Sequence, residues 1–167
     1  MLMACVTCLT LSTFANADLL TGRVVKVTDG DTITILDSTN TQHKIRLSGI
    51  DAPERKQAFG GKSREALASS VAGKQVTIDW NKRDKYQRIV GKVLVNGKDA
   101  NLQQLRNGLA WHYKKYENEQ DVEDRSTYAN AEYEAQSDKA GLWQDKQPLA
   151  PWDWRKQSRT LSAAQPK

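Results

Sequence analysis

Alternating polar and apolar residues dominate the first half of the chain and predict β-strands. After Asp29-Gly30, a dipeptide typical of hairpin turns, Ile33 and Ile35 alternate with threonine residues. In the third predicted strand, Ile45 and Leu47 share one face, so Arg46 projects from the other face. The predicted strands cover residues 23–27, 32–35, 44–47, 76–80 and 89–95.

Helical spacing takes over in the second half. Leu102, Leu105 and Leu109 recur at helical intervals, and glycines at 73, 108 and 141 are typical helix stops. Five strands, with one helix after the third and two more at the end, predict an α+β, mainly β fold. We expect a five-stranded OB-fold Greek-key barrel with three packed helices. The predicted helices cover residues 62–72, 102–108 and 122–140, and residues after Pro148 are expected to form an arm packed on the domain.

The first seventeen residues contain no charged side chain and end in Ala15-Asn16-Ala17, a small-x-small sequence that suits signal peptidase. We therefore predict a signal peptide at 1–17, a folded domain at 18–157 and a flexible tail at 158–167. A buried N-terminal helix is the alternative for the first segment, which is too short to span a bilayer. A signal peptide implies export to the periplasm or the medium, and we expect no stable membrane insertion. Nothing in the sequence requires more than a monomer.

The composition limits which partners, nucleophiles and metals the protein can use. A net charge of +5 and an isoelectric point near 9.2 favour a polyanionic partner, either nucleic acid or an acidic membrane surface. Cys5 and Cys8 both lie in the predicted signal peptide, so the mature protein has neither a thiol nucleophile nor a disulfide. His43 and His112 are the only histidines, too few for a His-rich zinc or copper site. Any metal is expected to be a hard cation held by carboxylates.

Three charged clusters need an explanation. They lie at 29–32 (DGDT), 46–54 (RLSGIDAPE) and 83–88 (RDKYQR), and each on its own is most simply a polar turn. A turn does not require Asp31, however, because aspartate is disfavoured where a strand begins. Asp31 and Asp51 are candidate anionic ligands for Ca²⁺, which prefers carboxylate and carbonyl oxygens. Lys85 and Tyr86 have the chemistry to bind a phosphate and to pack on a sugar or base.

The order and spacing of the three clusters resemble the thermonuclease family, the staphylococcal nuclease-like proteins. The similarity continues to the end of the predicted domain, so it covers nearly all of the mature chain. Its further blocks are Asn101-Leu102, residues 108–111 (GLAW), residues 140–143 (AGLW) and residues 151–155 (PWDWR).

The resemblance implies a Ca²⁺-dependent endonuclease that hydrolyses DNA and RNA to 3′-phosphate products. Asp31 and Asp51 would bind Ca²⁺ with the backbone carbonyl of Ala52, and Glu54 would position or deprotonate the attacking water. The arginines matching Arg46 and Arg88 would grip the scissile phosphate, a task suited to their planar, permanently charged forks. Substrate contacts are expected from Lys85, Tyr86, Tyr113 and Tyr116, where the family tyrosine that contacts the 5′-phosphate matches either Tyr113 or Tyr116.

Two points stay open at this stage. Gln87 replaces a glycine common before the second arginine, so the approach of that loop to substrate can differ. The alternative function is a non-catalytic OB-fold that only binds single-stranded nucleic acid. The presence of all five acidic and arginine positions favours the enzyme. His112 is expected to be a surface or packing residue rather than a catalyst.

Overall fold

The computed structural model describes residues 18–163. The predicted signal peptide at 1–17, with both cysteines, and the last four residues of the predicted tail lie outside the described residues. Within the described range the strands are β1 (Asp18–Asp29), β2 (Thr32–Leu36), β3 (Gln42–Leu47), β4 (Ile50–Asp51), β5 (Gln75–Arg83), β6 (Ile89–Val95), β7 (Lys98–Asp99) and β8 (Trp111–His112). The α-helices are α1 (Gly60–Val71), α2 (Ala100–Arg106), α3 (Val122–Ser137) and α4 (Pro151–Ala163), and short 3-10 helices cover Lys114–Glu119 and Gly141–Gln144.

Strands β1, β2, β3, β5 and β6 close into a barrel. Long antiparallel pairings join β1 to β2 and β5, β2 to β3, and β5 to β6. The barrel closes where β3 pairs with β6 in parallel, with Ile45 opposite Ile89 and Leu47 opposite Gly91. The predicted five-stranded OB-fold barrel with packed helices is therefore confirmed.

The strand alternation places the core inside this barrel. Strand β6 buries every second residue, as a strand with one covered face should. The inward side chains of β2, β3 and β5 meet those of β6, and Leu67 of α1 joins them. Burying an isoleucine or leucine side chain contributes roughly 1.5–3 kcal/mol, so this set stabilises the frame that carries the site. Its fully buried members include Ile33, Ile35, Ile45, Leu47, Leu67, Ile78, Ile89 and Val93.

The β1–β2 hairpin turns on Gly30 and Asp31, one residue later than the Asp-Gly signal suggests, and β2 begins at Thr32. Glycine is required at position 30 by close approach: a Cβ there would lie 1.8 Å from the Ser63 hydroxyl oxygen of α1. The tight packing of this turn against α1 fixes the position from which Asp31 projects.

The three predicted helices are present as α1, α2 and α3, but α3 ends at Ser137 rather than near Ala140. The arm expected after Pro148 is a fourth helix, α4, which starts at Pro151, a residue well suited to the first helical turn. This helix runs six residues into the segment predicted as a flexible tail. Residues 155–163 lack glycine and proline and are mostly good helix formers, which accounts for the extension. Across residues 18–163, none of the helices has both the length and the apolar character needed to cross a membrane.

Candidate active site

An open cleft of about 1040 Å³ runs along one side of the barrel. It is bordered by the β1–β2 turn, the chain after β3, the β5–β6 connection and α4. All ten residues predicted as site residues line it: Asp31, Arg46, Asp51, Ala52, Glu54, Lys85, Tyr86, Arg88, Tyr113 and Tyr116.

Asp31 is buried at the floor of the cleft, with 6% of its surface exposed. Its Oδ2 accepts a hydrogen bond from the backbone N–H of Ala52 at 2.7 Å, and its Oδ1 accepts one from the Thr32 hydroxyl at 3.0 Å. The hairpin turn and the loop after β4 are thus joined through one carboxylate, which has little freedom to move.

Arg46 joins the acidic residues of the site. It lies opposite Thr32 in the β2–β3 register, which brings its side chain to the Asp31 turn. Its Nη2 is 3.1 Å from Asp31 Oδ2 and 2.9 Å from Asp51 Oδ1. Its Nη1 donates to the carbonyls of Leu47 and Ile50, each at 2.9 Å. We call Asp31, Arg46 and Asp51 the barrel wall.

Asp51 sits in the two-residue strand β4, paired with Trp111 of β8, and is only 1% exposed. The next residue, Ala52, is also buried and donates its N–H to Asp31. Strand β4 is too short for sequence periodicity to reveal, yet its pairing with β8 fixes the direction of the Asp51 side chain.

Glu54 stands nearer the mouth of the cleft and is joined to the barrel wall by Arg155 of α4. Arg155 Nη1 donates to Glu54 Oε1 at 2.8 Å, and Arg155 Nη2 donates to Asp51 Oδ2 at 2.7 Å. A third contact joins Arg155 Nη1 to Asp51 Oδ1 at 3.3 Å. One guanidinium therefore holds the predicted metal ligand and the predicted base in a fixed relation.

The connection between β5 and β6, residues 84–88, forms the opposite border. Arg88 lines the cleft but is held by Asp84, whose Oδ2 accepts from Arg88 Nε at 2.7 Å. The ring of Tyr86 is exposed and has Lys85 and Arg88 over it at 5.0 and 5.5 Å. Gln87 adopts a positive φ of 62°, the backbone region that a glycine enters most easily. The structure brings Arg88 into the cleft without direct contact to the carboxylates of the barrel wall.

The two candidate tyrosines are adjacent. Tyr113 packs edge to face on Tyr116 at 5.0 Å and stacks in parallel on Trp152 of α4 at 5.6 Å. Lys82 and Lys115 lie 5.5 and 5.7 Å from the Tyr116 ring centre. Both tyrosines therefore combine aromatic surface with nearby positive charge.

Burial and charge shift several pKa values here. Burial raises the pKa of Asp51 against the opposing contacts with Arg155 and Arg46. Burial, with the neighbouring Asp31 carboxylate, raises the pKa of Asp29 to about 6. Partial burial lowers the pKa of Arg155, but the carboxylates of Asp51 and Glu54 outweigh it and raise the pKa overall. Burial is thus the main cause of the raised pKa of both aspartates, and the two arginines oppose it at Asp51.

The donor set fits the predicted hard cation. Two buried carboxylates approach the same Arg46 nitrogen, so they already converge on a position that favours positive charge. Between Asp18 and Ala163, no three acidic, histidine or cysteine side chains cluster closely enough to hold an ion by themselves. A cation bound by Asp31 and Asp51 would accordingly need further oxygen donors, as a backbone carbonyl or water can supply.

Sequence reasoning missed the contribution of α4. Trp152, Arg155 and Arg159 line the cleft, although the sequence predicts only a packed arm after Pro148 and a flexible tail from residue 158. The available signal was their spacing at i, i+3 and i+7, which places three side chains on one helix face. His112 is fully buried, with its Nε2 2.8 Å from Gln120 Oε1, so of the two expected environments, surface or packing, it has the buried one.

Comparison with known proteins agrees with this geometry. The family model described as staphylococcal nuclease homologue matches residues 44–145. The chain belongs to the staphylococcal nuclease family. That segment contains Arg46, Asp51, Glu54 and the basic connection, while Asp31 and α4 fall outside it. The resemblance predicted from the three charged clusters is therefore confirmed, and membership of the staphylococcal nuclease family supports a nuclease function.

Individual relatives carry related names. An "Uncharacterized endonuclease" of Haemophilus influenzae is 40% identical over 139 residues, 83% of this chain and 75% of that protein. A protein of the same description from Escherichia coli is 43% identical over 135 residues, 80% of this chain and 84% of that protein. The "Probable staphylococcal-like nuclease CAN3" of Oryza sativa is 40% identical over 118 residues, 71% of this chain but 30% of its own length.

Proposed function

We propose that this staphylococcal nuclease-family protein is an exported, Ca²⁺-dependent endonuclease that cleaves DNA and RNA and leaves 3′-phosphate ends. The observation that carries the proposal is the convergence of Asp31 and Asp51 on Arg46, with Glu54 bridged to them by Arg155. Two buried acids, a separate acid at the mouth and several guanidinium groups are the parts that phosphodiester hydrolysis requires.

In this proposal Asp31, Asp51 and the Ala52 carbonyl hold Ca²⁺. The bound cation supplies charge stabilisation for the phosphoryl oxygens. Arg46 and Arg88 donate hydrogen bonds to those same oxygens, and their interaction strengthens as negative charge builds up in the transition state. Lys85, Tyr86, Tyr113 and Tyr116 hold the flanking phosphates, sugars and bases.

Glu54 accepts a proton from the attacking water. The water oxygen forms a bond to phosphorus, the bond between phosphorus and the 5′ oxygen breaks, and the departing oxygen takes up a proton. The Arg155 contact at 2.8 Å limits the orientations that the Glu54 carboxylate can adopt. A proton acceptor that is already oriented lowers the entropic cost of reaching the reactive geometry.

The decisive experiment incubates the purified protein with single- and double-stranded DNA and with RNA, in Ca²⁺ or in chelator, and analyses product ends. We expect cleavage in Ca²⁺, none in chelator, and 3′-phosphate products. Glu54→Gln and Arg88→Ala should lose most activity, while Arg106→Gln, an exposed arginine outside the cleft, is the matched control. Cleavage that persists in chelator refutes the mechanism, and binding without any cleavage favours the non-catalytic alternative.

Metal binding has a test of its own that does not depend on activity. A ligand at 100 times its dissociation constant stabilises a fold by about 2.7 kcal/mol. Ca²⁺ should therefore raise the melting temperature of the wild type, and Asp51→Asn should abolish the rise. An equal rise in both proteins would place the cation elsewhere.

Export and assembly state complete the proposal. If residues 1–17 form a cleaved signal peptide, the exported protein begins at Asp18, which mass spectrometry of the secreted or periplasmic protein detects. Light scattering of the same preparation should give the mass of a monomer. An intact N-terminus in the exported fraction, or a dimer mass, would contradict these two expectations.

A further inference from the structure

The start of α4 is fastened to the domain. Ala150 and Pro151 are buried, and the Ala150 carbonyl accepts from the N–H groups of Asp153 and Trp154. Gln57, which precedes α1, donates its Nε2 to the carbonyl of Leu149. Helix α4 therefore leaves the domain in a defined direction.

That direction turns one face of α4 toward the cleft. Of the α4 residues up to Ala163, those lining the cleft are Trp152, Arg155 and Arg159, which we call the helix wall. Trp152 contacts Tyr113 by parallel stacking, and Arg155 reaches Asp51 and Glu54. The helix wall therefore continues directly from the proposed reaction centre.

Arg159 lies one turn beyond Arg155. Its side chain is exposed, and within residues 18–163 it makes no ion pair. An arginine that lines a cleft without a carboxylate partner keeps its donors available for an external anion. Its position suits the next phosphate along a bound strand rather than the scissile one.

We propose that the helix wall is a binding site for the single nucleic-acid strand that flanks the scissile phosphate. This inference rests on the proposed nuclease function. The span from Trp152 to Arg159 is about 10 Å along a helix, so the helix wall can contact more than one nucleotide of a bound strand. Aromatic surface at one end and a guanidinium at the other match the base and phosphate of such a strand.

The charge of the helix wall and its position beside the proposed reaction centre indicate which ligand it binds. The far side of the cleft already presents Lys85, Tyr86 and Arg88, so the helix wall supplies a second cationic and aromatic border. A strand entering between the two borders passes the barrel wall, where the carboxylates lie. An acidic peptide offers repeated charge but no planar bases to match the aromatic rings of Tyr113 and Trp152.

The test measures binding rather than cleavage. The affinity of the full protein for a single-stranded oligonucleotide of about 16 nucleotides, a length near the upper range for one OB-fold, is measured in chelator at several salt concentrations. Arg159→Gln should weaken binding severalfold and make the slope of log K against log salt shallower by about 0.7, the value for one lost phosphate contact. Arg106→Gln, which removes the same charge outside the cleft, should change neither quantity.

One further variant separates the charge of Arg159 from a structural role. Arg159→Lys keeps the charge and should restore the salt slope, whereas a merely structural role of Arg159 would not give this rescue. Equal affinity and slope for Arg159→Gln and Arg106→Gln would overturn the helix wall as a binding site. Because chelator stops the proposed reaction, a protein that never cleaves but shows the Arg159 effect would refute the nuclease mechanism alone.

Discussion

The barrel wall and the helix wall face the same cleft, but they are held in different ways. Asp31 and Asp51 are 6% and 1% exposed, and strand pairing and buried hydrogen bonds fix them. Arg155 leaves 38% of its side chain exposed, and Arg159 is more open still. Groups that must stabilise a transition state need pre-organisation, which the barrel provides. Groups that receive a flexible strand tolerate more freedom, which a helix attached mainly at its start provides.

This contrast separates two kinds of mutational effect. A change in the barrel wall disturbs buried charge, so it should reduce both the reaction rate and the free energy of unfolding. A change in the helix wall alters partly solvated contacts, so it should act on substrate affinity and the reaction with little effect on stability.

Arg46→Gln is expected to have the largest effect. It removes the cation that Asp31 and Asp51 share in a buried site and one proposed donor to the phosphate. We expect cleavage to fall by roughly 10²–10³, the cost of losing one transition-state donor. The free energy of unfolding should fall by about 3 kcal/mol because a buried ion pair is broken. Single-turnover cleavage and urea unfolding measure the two losses, and full stability with lost activity would contradict the role of Arg46 in the fold.

Arg155→Gln should have an intermediate effect. The carboxylate of Glu54 loses its fixed donor, while Asp51 keeps Arg46, so we expect about a tenfold fall in kcat/KM. Stability should fall by no more than about 1 kcal/mol because Arg155 is partly solvated. Arg155→Lys should restore part of the activity. Losses as large as those of Arg46→Gln would show that the two walls form one rigid unit and would remove the distinction.

The same contrast explains what the sequence could predict. Arg46 lies on an alternating strand and Asp31 directly precedes another, and local pattern there determines which face each strand side chain takes. Arg155 meets Glu54 only through a contact 101 positions apart in the chain, and no local pattern encodes such a contact. Strands β4, β7 and β8 have two residues each, too few for any period to show. Their existence depends on partners that only the closed fold brings together.

Helix α4 was missed for a related reason. Its first turn contains Trp152 and Trp154, but from Arg155 onward the described residues are polar except for Leu161 and Ala163. Without a repeated apolar face, hydrophobic periodicity indicates an arm or tail rather than a helix. The predicted boundary at 158 followed from that change in composition, whereas helix propensity and the fastened start carry the helix to Ala163.

Tyr128→Phe tests a hydrogen bond of the domain interior that lies outside the cleft. The Tyr128 hydroxyl donates to Asp99 Oδ2 at 2.7 Å, and Asp99 also caps α2 by accepting from the Leu102 N–H. Loss of this hydrogen bond to a largely buried carboxylate should cost about 1–2 kcal/mol of stability at neutral pH. Cleavage should stay within twofold, because neither residue lines the cleft.

The effect of Tyr128→Phe should depend on pH. Burial raises the pKa of Asp99 above 3.8, and the Tyr128 hydrogen bond opposes that rise. Removing the hydroxyl raises the folded-state pKa of Asp99 further, so the variant is penalised while Asp99 is ionised. The penalty is therefore complete at neutral pH and declines as the pH falls through the folded-state pKa of Asp99. Urea unfolding at neutral and acidic pH measures it, and a penalty independent of pH would assign the loss to packing.

Gln87→Gly should have the smallest effect. It extends the comparison with the barrel wall to the cleft border opposite α4. Gln87 holds a φ of 62°, which costs a residue with a Cβ roughly 1–2 kcal/mol. Glycine relieves that cost but loses about 0.4–1 kcal/mol through greater freedom of the unfolded chain. The net change should be a stabilisation of about 0–1.6 kcal/mol, measured by urea unfolding. Arg88 stays attached to Asp84 through both its Nε and its backbone N–H, so cleavage should change by less than about twofold. A large loss of cleavage in this variant would show that the exposed border needs the same rigidity as the barrel wall.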